Sequence, residues 1–185
     1  MNIYINTKNL IKKNKINKSI LITWISYSWK TYLYQNLKNN KDINLYDADE
    51  IWVGKWYNKK NQIVKFKNNA NEKRFKNHNF LWDIKFLKLF LNKNNNCYLF
   101  WLSENIFEAS KLFDKCFFLN INSNELKKRF NKNDRNNPMW NTIQQQNIIL
   151  NYMNNFKNQC LQNNFISIDA TKSPIDIKNY INTLI

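Results

Sequence analysis

Short apolar runs recur along this chain, and between them apolar residues fall at every third or fourth position. Ile20-Leu21-Ile22-Thr23 is the first run. Its apolar residues are consecutive, the pattern of a strand buried on both faces. In Thr31-Tyr32-Leu33-Tyr34-Gln35-Asn36-Leu37, Leu33 and Leu37 stand one helical turn apart. A second strand fits Ile43-Asn44-Leu45-Tyr46 and ends at Asp47 and Asp49. Leu81, Ile84, Leu87, Lys88 and Leu91 carry a helix, with Phe80 a candidate for its first residue. Cys97-Tyr98-Leu99-Phe100 reads as a third strand, followed by a short helix over 107–112. Cys116-Phe117-Phe118-Leu119 is the fourth. Ser123, Leu126 and Phe130 open a helix that breaks near Asn137-Pro138. The longest helical pattern covers 143–161. Phe165-Ile166-Ser167-Ile168 is the fifth strand, and Pro174 can start a closing helix over 175–185. Residues 52–79 are polar and poorly periodic, and predict an insertion made of turns.

Strands alternating with helices at this spacing predict an α/β fold with a parallel sheet covered on both faces and right-handed crossovers. The expectation is three layers with about five parallel strands. Residues 1–18 read as a basic, Asn-rich extension and 19–185 as one domain, long enough to bury a core. No apolar run approaches the length of a membrane span. The N-terminal stretch lacks the apolar core of a secretory signal, so the expected location is the cytosol. Cys97, Cys116 and Cys160 are odd in number, far apart and set among apolar residues. They are expected to be buried thiols rather than a disulfide or zinc framework.

A net charge of +16 invites a nucleic-acid reading. Lys is scattered along the chain, however, and the abundant residues (Asn, Lys, Ile, Phe, Tyr) are those of AT-rich codons. The charge is therefore read as a solvated surface, with nucleic acid not expected as a partner. Arg is scarce, limited to Arg74, Arg129 and Arg135. Gly is scarcer still. There is one, Gly54, against seven Trp, where average usage of about 7% predicts roughly a dozen.

The segment Trp24-Ile25-Ser26-Tyr27-Ser28-Trp29-Lys30-Thr31 lies between the first strand and the first helix. Its spacing, its Lys and its Thr match the phosphate-loop template G-x-x-x-x-G-K-[ST], while Trp24 and Trp29 stand at the two glycines. In that template loop N–H groups and a helix N-terminus surround a phosphate, the Lys bridges phosphates and the hydroxyl holds Mg²⁺.

Ile20 to Leu37 thereby resembles the opening of the small P-loop kinase-like proteins, the group of shikimate kinase and the nucleoside-monophosphate kinases. Further matches run along the chain after Ser19: Tyr46-Asp47-Ala48-Asp49-Glu50, Lys55-Trp56-Tyr57-Asn58-Lys59, His78-Asn79-Phe80-Leu81-Trp82-Asp83, Arg135-Asn136-Asn137-Pro138-Met139-Trp140 and Ile168-Asp169-Ala170-Thr171. The resemblance implies strand order 2-3-1-4-5, with ATP and Mg²⁺ as cofactors and a small-molecule phosphate acceptor. Nucleotide binding would fall on 24–31, with Thr31 and Asp49 toward the metal. Lys30, Asp47, Arg129 and Arg135 would carry the chemistry: phosphate neutralisation, acceptor orientation and a lid charge.

Bland alternatives stand beside these roles. Asp47 and Asp49 could simply serve a turn. Arg129, beside Lys127 and Lys128, could belong to a solvated face. Ser103 could be a helix N-cap, and His78 a surface loop residue.

Trp24, Trp29, Trp101 and Trp140 fall where the resembled proteins have Gly, whereas Trp56 and Trp82 fall where those proteins have Trp. Trp52 matches neither group. Two readings stay open. One is UGA codons decoded as glycine by the organism but written here as Trp. The other is a degenerate phosphate loop, in which case the chain is a non-catalytic binding module for a partner or RNA.

Overall fold

A computed structural model describes residues 18–26, 30–38, 44–65, 77–94, 96–131 and 142–185, with Lys30 and Thr31 described for their backbone alone. In chain order the first elements are β1 (Ser19–Trp24), α1 (Lys30–Leu37), β2 (Asn44–Asp47), β3 (Gly54–Asn58), β4 (Ile63–Val64) and β5 (His78–Trp82). Next come α2 (Ile84–Lys93), β6 (Cys97–Phe100), α3 (Ile106–Ala109) with a 3₁₀ turn at Ser110–Leu112, and β7 (Lys115–Asn120). The last are α4 (Ser123–Asn131), α5 (Ile143–Gln162), β8 (Ile166–Asp169) and α6 (Pro174–Leu184).

The consecutive apolar runs become the buried strands of a five-stranded, wholly parallel sheet in the order β2-β6-β1-β7-β8. Counting only the strands of this sheet, the order is 2-3-1-4-5, as expected. Ile20, Leu21 and Ile22 of β1 have no exposed surface, nor do Leu99 and Phe100 of β6 or Phe117 of β7. Ser19 pairs with Cys97 on one side of β1, and Ile20 with Lys115 on the other. Helices cover both faces. α1 buries Leu33 and Leu37 and packs against α6, which buries Ile177 and Ile181. On α5, Ile149, Phe156 and Cys160 are buried, and Phe107 of α3 meets the rings of Phe156 and Phe165.

Helix starts follow from local capping. Thr142 and Gln145 form a reciprocal capping box on α5. Ser173 caps α6 ahead of Pro174. Asp83 accepts from the Phe86 N–H and starts α2 at Ile84. That cap corrects the expectation of a helix beginning at Phe80 and including Leu81, because both residues lie in β5.

The larger correction concerns 52–79. Its described part holds β3, β4 and the start of β5, in an antiparallel sheet of order β4-β3-β5. His78 opens β5 and is half-buried, not a loop residue. Trp56 faces Phe80 across the ladder, with ring centroids 5.2 Å apart. The Phe80 ring lies over Gly54: a Cβ there would stand 2.1 Å from its Cζ, so the ring would have to shift.

The Asp83 N–H donates to the Val53 carbonyl, extending the β3–β5 ladder by one step. This small sheet is tied to the segment after β6 by hydrogen bonds, the first from the Glu104 N–H to the Phe80 carbonyl. The Asn105 amide spans one residue of β5, accepting from the Trp82 N–H at 2.9 Å and donating to its carbonyl at 3.0 Å.

Cys97 and Cys160 are buried and Cys116 is half-buried, all three as free thiols. Burial pushes each up to about 12. Lys18, assigned to the extension by the sequence reading, already pairs with the sheet. Its carbonyl accepts from Cys97. Among the described residues, no helix is long and apolar enough to cross a membrane.

Candidate active site

The chain leaves β1 toward β2 and β6 on one side, and later strands are laid on the other side as β7 and β8. The end of β1 is therefore the point at which the strand order reverses, where open parallel sheets leave a crevice for ligands. From there the chain passes through Ile25 and Ser26 and resumes as α1, whose first two residues are Lys30 and Thr31. Strand, loop and helix thus follow one another as the phosphate-loop template demands. Tyr27, Ser28 and Trp29 lie outside the described residues, as do Arg135 and Trp140.

Trp24, at the first glycine position, is 6% exposed. Its indole lies against Phe100 and edge-on to Trp101, at 6.2 and 6.4 Å between centroids. Trp101 in turn meets Phe80 at 6.4 Å, and Phe80 meets Trp56. A row of aromatic rings thus runs from the end of β1 to the small sheet. In the chain as written, two of the tryptophans at glycine positions fill this space.

Asp47 ends β2, and Asp49 lies in the exposed turn after it. The Asp47 carboxylate accepts from the Asp49 N–H at 3.0 Å, the geometry of an Asx turn. Behind them Tyr34 of α1 donates its hydroxyl to Glu50 at 2.7 Å, and Lys38 pairs with the same carboxylate at 3.4 Å. Burial, and then the Glu50 carboxylate, hold the Tyr34 phenol far above its ordinary range. The acidic turn is thereby fastened to α1, the helix that Lys30 opens.

After β6, Ser103 is 5% exposed and donates to the Asn105 side chain. The residue at the N-cap position of α3 is Asn105, not Ser103. The Glu104 carboxyl is raised by burial, partly offset by the Phe80 N–H it accepts. At the end of β8, Asp169 accepts from the hydroxyl and the N–H of Thr171, which lower its pKa.

Arg129, expected to carry a lid charge with a solvated face as the bland alternative, does not lie on a solvated face: it is 4% exposed. Its guanidinium donates to the Ala170 carbonyl at 2.9 Å and to Glu125 at 3.2 Å, tying α4 to the turn after β8. A cavity of about 640 Å³ lies beside this turn. It is lined by Asn120, Asn122, Ser123, Lys157, Asp169 and Thr171 among others. Among the described residues, no three His, Cys, Asp or Glu side chains are grouped to hold a metal ion.

Among solved structures, the chain is similar to a shikimate kinase from Acinetobacter baumannii in complex with shikimate. The TM-score is 0.58 at 13% identity, over 92% of this chain and 93% of that one. A sugar kinase from Janibacter sp. HTCC2649 gives 0.50 at 14% identity over 90% and 93%. A deoxyadenosine kinase from M. mycoides with bound dATP gives 0.50 at 13% over 90% and 98%. The fold is that of the small P-loop kinases. No family model and no curated protein matches the chain.

Within this kinase-like fold, the sequence reading brought β1, α1 and the acidic turn to one sheet edge. It missed Tyr34, Glu50, Glu104 and Asn105. Glu50 could have been noticed as the third acid of Asp47-Ala48-Asp49-Glu50. Nothing in the sequence marks Asn105, one asparagine among many.

Proposed function

We propose that this chain binds Mg-ATP and transfers its γ-phosphoryl group to a small hydroxyl or phosphate acceptor. One observation carries the reading: Lys30-Thr31 opens a helix at the end of the central strand of a sheet ordered 2-3-1-4-5. A helix N-terminus offers unpaired N–H groups to phosphate oxygens, and the Lys30 ammonium neutralises their charge. Thr31, with Asp49 on the neighbouring turn, would hold Mg²⁺, which draws charge off the transferred group. Asp47 orients the acceptor hydroxyl, and Arg135 supplies the lid cation. Arg129, engaged by Ala170 and Glu125, holds the turn after β8 in place. The cytosol, where ATP is abundant, is the compartment this reading requires.

A second reading is favoured by the buried Trp24 and its contact with Trp101: a degenerate, non-catalytic loop whose partner or RNA is met by the basic surface. Calorimetry separates the two. The chain with Gly at positions 24, 29, 101 and 140 is expected to bind ATP in a Mg²⁺-dependent way, and the chain as written far more weakly. Lys30→Ala in the glycine-bearing chain is expected to abolish turnover. Turnover within about threefold of its parent would sink the phosphate-loop assignment. Salt-dependent RNA binding, with no ATP binding by either chain, would establish the second reading.

A further inference from the structure

Four described residues other than glycine hold φ in the left-handed region: Trp52 at 56°, Asn61 at 58°, Asn96 at 52° and Asn164 at 61°. Three are asparagine, whose short polar side chain tolerates this backbone. Trp52 is the exception. A Cβ in this conformation crowds the following carbonyl oxygen, and the indole does little to offset the strain, because Trp52 is 83% exposed.

The backbone around it is pinned. The Trp52 N–H donates to the Asp49 carbonyl and closes the acidic turn. The next residue, Val53, is fully buried, and its carbonyl accepts from Asp83. Position 52 cannot leave the left-handed region without withdrawing Val53 from the core or opening the turn. Left-handed backbone, an exposed side chain and fixed neighbours together describe a glycine position.

We propose that position 52 is a glycine position, and that Trp52 is written from a UGA codon which the source organism reads as glycine. The inference reaches the decoding question by a route of its own. Trp24, Trp29, Trp101 and Trp140 were singled out by motif and resemblance, Trp52 by its backbone. Trp56 and Trp82 are the counter-cases. Trp56 packs its ring on Phe80, Trp82 is 3% exposed, and neither has positive φ. Trp24 and Trp101 also lack positive φ, so the backbone speaks for position 52 alone. The proposal does not rest on the kinase reading, and failure of ATP binding leaves it intact.

Two measurements test it. In the gene, codon 52 is expected to be UGA, with UGG at 56 and 82; UGG at 52 overturns the decoding. In the full chain, Trp52→Gly, Trp52→Asn and Trp52→Ala are compared by urea unfolding. Glycine is expected to raise the folding constant by roughly threefold to tenfold, after allowance for its freer unfolded chain. Asparagine should recover part of that gain, and alanine none, since its Cβ meets the same carbonyl. If alanine stabilises as much as glycine, the gain comes from removing an exposed ring, and the backbone argument is overturned. A glycine variant no more stable than the parent overturns it equally.

Discussion

The two sheets of this molecule are held by different forces. In the parallel sheet, β1 and β6 are apolar on consecutive positions and are covered on both faces, so burial alone accounts for them. In the antiparallel sheet, the only strand residue described as buried is Trp82. Its cohesion comes from the Trp56–Phe80 pair, from a glycine that lets Phe80 close in, and from backbone bonds to Val53, Glu104 and Asn105. A scaffold made by burial tolerates little change of shape. An annex made by a few directed contacts can be rebuilt one contact at a time.

The contrast can be broken by mutation. Leu99→Ala removes a fully buried side chain from β6, the strand between β1 and β2, and should cost about 3 kcal/mol. Amide exchange should then quicken in both sheets, because the annex docks on the scaffold. Quickening confined to the annex would reverse the dependence. Asn105→Ala leaves the Trp82 N–H and carbonyl without their partner and should cost about 2 kcal/mol. The expected signature is loss of protection at Phe80 and Trp82 while β1 and β7 keep theirs; equal loss throughout would show one cooperative unit. The smallest effect is expected at the far end of the scaffold. With the Thr171 hydroxyl and N–H on it, the folded Asp169 carboxyl titrates below its unfolded value. Its stabilisation is present above the ordinary carboxylate range and is lost as pH falls through the lowered value. Thr171→Val should move that titration back toward the ordinary range by carboxyl NMR, and an unmoved titration would assign the shift elsewhere.

The parallel sheet was legible because both its faces are buried, which writes apolar residues on consecutive positions such as Cys97-Tyr98-Leu99-Phe100. The annex was not. Lys55, Asn58, His78 and Asn79 lie within its strands, and a sheet with half-exposed faces need not alternate cleanly. The helix misplaced at Leu81 shows the same limit: Phe80, Leu81 and Trp82 suit a strand as well as a helix, and the Asp83 cap decides. At the candidate site, the spacing of Lys30 and Thr31 and the place of Asp47 at a strand end drew notice in the sequence, and α1 and the turn after β2 do lie at one sheet edge. The Tyr34–Glu50–Lys38 cluster could not be read there, since it joins residues across a turn whose path the sequence does not display. The role of Arg129 was hidden too, because a buried guanidinium and an exposed one look alike on a helix.

The strand order also fixes a sequence of events during synthesis. β1 is made early, yet its partners are β6 and β7, and Ser19 must wait for Cys97 and Ile20 for Lys115. Throughout that interval this buried, largely apolar strand has no neighbour. The ladders of the annex lie wholly within residues 54–82, but its bonds to Glu104 and Asn105 form only after β6 has emerged. On a ribosome adding about 5–20 residues per second, that interval lasts seconds, ample time for an unpaired apolar strand to meet another of its kind. A chaperone acting on this protein would have most to do between the emergence of Trp24 and that of Phe100.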